Sequence, residues 1–177
     1  MAMLRPLPDH LAPGLDVVFV GANPGVISSQ QGHYYANPRN PFWTLLHKSG
    51  VVPEPLAPKE DARVVEFGIG LTDLVKRPTA GIEDLSREEM RAGATRLEKK
   101  LQLVQPLVIC FNGKQVYQGF TGHGCELGVQ QDESIAGARV FVMPSTSPQN
   151  TSWSERRKLN FFRKLKRLID EERHARA

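Results

Sequence analysis

The chain has 177 residues, 40% of them hydrophobic and 24% charged, the size and balance of one soluble domain with no room for a second. Its 23 Lys and Arg against 19 Asp and Glu give a formal net charge of +4, which permits a polyanionic partner without requiring one. No run of 18 apolar residues exists to span a membrane, and two cysteines, Cys110 and Cys125, exclude a disulfide framework and a four-thiolate cluster.

In chain order, Val17, Val18, Phe19 and Val20 form an apolar run read as a strand buried on both faces. The loop Gly21-Ala22-Asn23-Pro24-Gly25 follows it. Pro41, apolar Phe42, Trp43, Leu45 and Leu46, and then Gly50 outline a short helix with Pro at its start and Gly past its end. Residues 51–85 are rich in Pro and Gly and assign poorly; within them Phe67 to Asp73 reads as a short strand or an irregular edge segment. Ser86, Arg87, Glu88 and Glu89 have capping-box spacing, and apolar residues at intervals of three and four then predict a helix over 87–104, ended by Pro106. Leu107 to Phe111 and Val140 to Met143 read as further strands, leading into Asn112-Gly113-Lys114 and Pro144-Ser145-Thr146-Ser147. A second capping-box candidate, Ser152 to Glu155, opens a basic amphipathic helix over about 152–173 with Leu159, Phe162, Leu165 and Ile169 on one face.

Strands alternating with helices predict an α/β fold: a three-layer α/β/α sandwich with a mainly parallel central sheet, in one domain over 1–177. Ligands of such sheets bind beyond the carboxyl ends of the strands, so the loops at 21–40, 112–114 and 144–150 should converge. Charge is uneven: residues 1–153 hold 14 basic and 15 acidic side chains, residues 154–177 hold 9 and 4, giving −1 and +5. The absence of an apolar leader and the sparse cysteines predict a protein of a reducing compartment, not a secreted one.

Taken alone, Gly21 to Gly25 is an ordinary turn, and it has neither phosphate-loop nor dinucleotide spacing. The segment Gly32 to Trp43 is more telling, because a loop has little structural need for Tyr34 and Tyr35. Together, GANPG (21–25), YANPRNPFW (35–43), GIGLTDLVKRPT (68–79), FNGKQVY (111–117) and MPSTS (143–147) resemble, in order and spacing, the mismatch-specific uracil/thymine DNA glycosylases of the uracil-DNA glycosylase superfamily. The resemblance covers about Leu11 to Ser147. It implies a monomeric, monofunctional enzyme of the bacterial cytosol or the nucleus that hydrolytically excises uracil from mismatched G·U duplex DNA and so initiates base excision repair. No metal or cofactor is implied, and thymine and modified cytosines are further candidate bases. Two other readings stay open: a related glycosylase preferring single strands, and a catalytically inert α/β nucleic-acid-binding module.

An enzyme acting on a base must first extrude it from the duplex. By the resemblance, Tyr35 stacks on the extruded base, with core packing as the plain alternative. Asn23 orients the attacking water, unless it only stabilises its turn, and main-chain N–H groups around Ala22 and Tyr35 stabilise the departing oxygen. Ala22, Gly25, Ser28, Tyr35 and Asn112 form the base pocket; bulky Ile27 favours uracil, and Ser28 equally reads as a helix N-cap. Asp73 departs from the family, which carries Lys or Asn there. A carboxylate at that rim is a better proton acceptor than Asn23, and its plain alternative is a loop cap. Pro144 to Asn150 matches the loop that penetrates the duplex, with Pro148 as wedge and Gln149 facing the orphaned guanine where the family has Arg. Lys114, at a helix start, together with Ser145 and Ser147, would contact phosphates. With residues 1–153 net −1, DNA attraction near the site would depend on Lys114, Arg39, Lys76 and Arg77. The +5 tail would add salt-sensitive attraction or merely solvate the surface.

Overall fold

A computed structural model describes residues 3–177. Five strands form one sheet in the order β2-β1-β3-β5-β4. The strands β1 (Val17–Gly21), β2 (Ile69–Asp73), β3 (Val108–Asn112) and β5 (Ala138–Met143) are mutually parallel, and β4 (Gly128–Ile135) runs antiparallel on the β5 edge. The expected three apolar runs are all strands, β1 and β5 slightly longer than expected and β3 shifted by one residue. Phe67 to Asp73 resolves into β2, an edge strand buried along its whole length. Its outer edge is covered where His10 and Leu71 exchange main-chain hydrogen bonds of 2.9 and 3.0 Å.

Side chains alternate across the sheet and divide the core in two. Val17 and Phe19 of β1 point into a cluster with Phe42, Leu45 and Leu46 of α2 (Phe42–Lys48) and Phe162, Leu165 and Ile169 of α5 (Glu155–Ala175). Val18 and Val20 point the other way, towards Leu97 and Leu101 of α3 (Arg87–Val104) and Val116 and Tyr117 of α4 (Lys114–Thr121). The result is the expected three-layer sandwich. Helix α3 has the predicted bounds, and Ser86 Oγ accepts from the Glu89 N–H as its cap.

Three local expectations change. Helix α5 is capped by Ser154, whose Oγ accepts from the Arg157 N–H, so it begins at Glu155 instead of 152 and runs to Ala175. Ser28 lies inside a short helix, α1 (Val26–Gln31), and does not cap it. β4 was not foreseen: its polar Gln130, Gln131, Asp132 and Glu133 hide the alternation on which strand assignment depends. It reaches β5 through Ala136 and Gly137, both at positive φ (51° and 78°), the two-residue turn whose twist suits a hairpin. Among the described residues no helix is long and apolar enough to cross a membrane.

Candidate active site

The sheet order reverses at β1, with β2 on one side and β3 on the other. Loops leaving adjacent parallel strands in opposite directions open a crevice at their carboxyl ends. Here that crevice is about 970 Å³ and is lined by Ala22, Asn23, Gly25, Ser28, Tyr35, Asp73, Asn112, Lys114, Ser145, Ser147, Pro148 and Gln149. The fold therefore brings every sequence-selected site residue to one place.

Asn23 is held in a defined orientation. The loop after β1 is stitched to the segment after β2 by hydrogen bonds from Leu74 N to Gly21 O (2.8 Å), Val75 N to Ala22 O (2.9 Å) and Thr79 N to Pro24 O (3.1 Å). Asn23 Nδ2 then donates to Arg77 O at 2.8 Å and to Thr79 Oγ1 at 2.7 Å. Thr79 in turn donates its hydroxyl proton to Gly81 O at 2.7 Å, so its oxygen can only accept from Asn23. Reversing the carboxamide would set oxygen against a carbonyl, and Oδ1 is thereby left as the acceptor. Sequence reasoning missed this clamp, although Thr79 closes the GIGLTDLVKRPT motif.

Asp73 ends β2 directly opposite Gly21 of β1. Its side chain is buried, and Oδ2 has no hydrogen-bond partner among the described residues. Burial, reinforced by the negative charge of Asp9 and opposed by Lys76, pushes its carboxyl up to about 7. A Cβ on Gly21 would meet both Asp73 Oδ1 and Tyr35 Oη at 3.1 Å, so the absent side chain lets both groups approach the strand end. Tyr35 itself has φ of 51°, an uncommon conformation for a non-glycine residue that turns its ring into the site. One face of that ring stacks on Phe42, with centroids 4.0 Å apart. Its hydroxyl is buried without a partner among the described residues, and burial holds it protonated. Core packing and a place in the crevice wall therefore coexist in this one side chain. Beneath the site, Asp9 accepts from Thr72 Oγ1 at 2.7 Å, from Lys100 at 2.6 Å and from Lys76.

Neighbouring residues take more specific places than their motifs suggested. Ser28 Oγ accepts from the Ala36 N–H at 3.1 Å and so ties α1 to the Tyr35 segment. Asn112, at the end of β3, exchanges two 2.9 Å hydrogen bonds with buried Thr146, fastening the 144–150 loop to the sheet. That loop is further braced by Ser147 N to Ser145 Oγ (3.2 Å), Gln149 N to Ser147 Oγ (3.3 Å) and Asn150 Nδ2 to Ser145 O (2.9 Å). Buried Lys158 of α5 donates to Asn150 O at 3.1 Å. Lys114 is exposed at the first position of α4, and Arg39 is exposed on the rim. Lys76 and Arg77 do not serve as spare cations for DNA. Lys76 is bound to Asp9 and the Leu7 carbonyl, and Arg77 makes a bidentate pair with Glu89 at 2.9 and 3.0 Å.

Among the described residues no group of three or more His, Cys, Asp or Glu is placed to hold a metal ion. The arrangement instead offers a fixed amide oxygen, a carboxyl poised near neutral pH and an aromatic ring in one crevice. Among solved structures, the chain is similar to a solution NMR structure of a "putative Uracil DNA glycosylase" from Methanosarcina acetivorans, with a TM-score of 0.62 and 24% identity over 92% of this chain and 98% of that one. At that identity the likeness speaks for the fold alone. The family model of the uracil DNA glycosylase superfamily matches residues 8–168. With nearly the whole sandwich and all the crevice residues selected from the sequence inside that match, the chain belongs to the uracil DNA glycosylase superfamily, enzymes that hydrolyse N-glycosidic bonds in DNA.

Proposed function

We propose that this protein excises uracil from G·U mismatches in duplex DNA by direct hydrolysis, with Asn23 orienting the attacking water and Asp73 accepting its proton. The observation that carries the reading is the pair of unlike groups at the ends of β1 and β2: a carboxamide whose two N–H bonds are already used, and a buried carboxyl raised to about 7. The amide oxygen can orient a water but cannot take its proton at neutral pH. The carboxylate can take it, and a pKa near the working pH suits a general base.

In the reaction the water oxygen bonds to C1′ of the deoxyribose as its proton passes to Asp73. The C1′–N1 bond breaks and its electron pair leaves with uracil, which departs as an anion and is protonated afterwards. Tyr35 supports the extruded base by stacking, a contact worth ~1–3 kcal/mol that any pyrimidine can make. The Ala22 and Tyr35 amides face the departing oxygen, and Ala22, Gly25, Ser28 and Asn112 complete the pocket. Pro148 fills the space left in the duplex, Gln149 meets the orphaned guanine, and Lys114, Ser145 and Ser147 hold phosphates. Lys76, close to Asp73 in the chain, does not line the crevice and is bound to Asp9, and Lys114 holds a phosphate in this reading, so no lysine is assigned as a nucleophile and the chemistry stops at the abasic site.

The test is cleavage of a labelled G·U duplex followed by alkali, beside the same uracil in a single-stranded oligonucleotide. Strand scission at uracil, faster in the duplex, is the expected result. Faster reaction of the single strand would assign the other substrate preference, and no scission at stoichiometric enzyme would defeat the glycosylase reading.

A further inference from the structure

The charge of the C-terminal helix is not uniformly distributed. Towards its end, the cations bind the protein's own acids: Lys166 pairs with Asp170 at 2.7 Å, Arg173 with Asp16 at 2.6 Å and Arg176 with Glu172 at 3.5 Å. Towards its start, a second groove of about 470 Å³ is lined by Trp153, Arg157, Asn160, Phe161, Arg163, Lys164 and Arg167, with no carboxylate among them. None of its four cations forms an ion pair among the described residues.

The groove has an ordered floor. Trp153 and Phe161 meet edge to face with centroids 5.6 Å apart. The Arg157 guanidinium lies 5.5 Å over Trp153 and Lys164 Nζ lies 4.9 Å over Phe161, attractions that fix where these two long side chains rest. Trp153 also lines the active-site crevice beside Ser147 to Asn150, so the two depressions share a wall. From residue 157 to 167 a helix rises ~15 Å, the axial length over which one strand of B-form DNA carries about four phosphates at ~3.4 Å of axis each.

We propose that this groove holds the phosphate backbone of the duplex flanking the lesion, continuing the DNA track from the crevice across Trp153. The inference deepens the glycosylase reading and rests on it for the direction of the track. An unpaired cationic surface joined to the crevice matches a polyanion entering that crevice better than it matches an acidic peptide, which would have no reason to abut the site.

The experiment compares the full chain with its R157A/R163A/K164A/R167A variant by fluorescence anisotropy on a uracil-free duplex of about 30 base pairs, over a series of salt concentrations. All four side chains are exposed, and a melting curve checks folding. A milder R163Q/R167Q variant replaces the first if it melts early. Affinity is expected to fall at least ~10-fold at low salt, and the slope of log K against log salt to shrink by up to ~3.6, about 0.9 for each of the four phosphates that the variant no longer neutralises. On a duplex trimmed to three base pairs either side of the lesion the variant and wild type should bind alike. The single-turnover rate at saturating enzyme should be unchanged. Equal affinity and equal salt slope on the long duplex would overturn the proposal, including where the groove instead binds polyglutamate. Cleavage by wild type with no such difference refutes the groove alone; a binding difference without any cleavage refutes the glycosylase reading and leaves the groove as a DNA site.

Discussion

Two side chains at neighbouring strand ends divide the proposed chemistry between them. Because Asn23 is clamped by Arg77 O and Thr79 Oγ1, N23A should lower single-turnover cleavage of G·U by ~100-fold, the scale on which positioning acts. T79V should lower it less, since only one of the two restraints is removed. In the proposed mechanism Asp73 couples activity to pH. With its carboxyl raised to about 7, wild-type cleavage should rise as pH passes through about 7 and level off above it, and in D73N that rise should vanish with a loss of ~100-fold or more. Stability moves the opposite way. The unfolded chain loses this proton near the ordinary 3.8 while the folded one holds it to about 7, so rising pH over that window favours unfolding, by an upper bound of roughly 4 kcal/mol at ~1.4 kcal/mol per unit. D73N, having no charge to bury, should therefore melt higher than wild type at about pH 8 and show little difference at about pH 4, as read by calorimetry at both values. A D73N protein that cleaves normally would return Asp73 to the role of a loop residue.

Elements matter through what they hold in place. The 144–150 loop follows β5, but its anchor is Asn112 on β3, joined to Thr146 by two hydrogen bonds. T146V removes the hydroxyl that accepts from Asn112 Nδ2 and leaves that buried N–H unsatisfied, a loss of ~1–3 kcal/mol, while the main-chain N–H of residue 146 still donates to Asn112 Oδ1. The variant's affinity for a G·U duplex should fall more than its affinity for a single-stranded uracil oligonucleotide, because in the proposed mechanism only the duplex needs the loop wedged into it. Comparable losses on both would show that the loop does not read the duplex. Sequence patterns located the elements with strong apolar periods, such as α3 and β3. They missed β4, which is half exposed and polar: an edge strand hydrogen-bonded on one side needs no apolar run. They also set the cap of α5 two residues early, because Ser152 and Ser154 both resemble caps and only the folded chain puts an oxygen of one against the Arg157 N–H.

At the scale of the molecule, the basic tail is two surfaces. Residues 170–177 are bound to the body through Arg173 to Asp16, Glu172 to Arg139 and Arg176 to Gly137 O, so deleting them should lower the melting temperature while leaving DNA affinity and its salt slope close to wild type. A lost salt dependence after that deletion would move the DNA track to the end of α5. The sequence by itself determined the alternating α/β plan and the buried parallel strands, because these depend on local periodicity and residue type, while its resemblance to a known family singled out the motif residues of the crevice. Only the tertiary structure decided which charges are spent and which are spare. Lys76, Arg77 and Arg173 read as cations like any other until folding sets them against Asp9, Glu89 and Asp16, and the Asp73 carboxyl is raised to about 7 only where burial removes the water that would have kept its pKa ordinary.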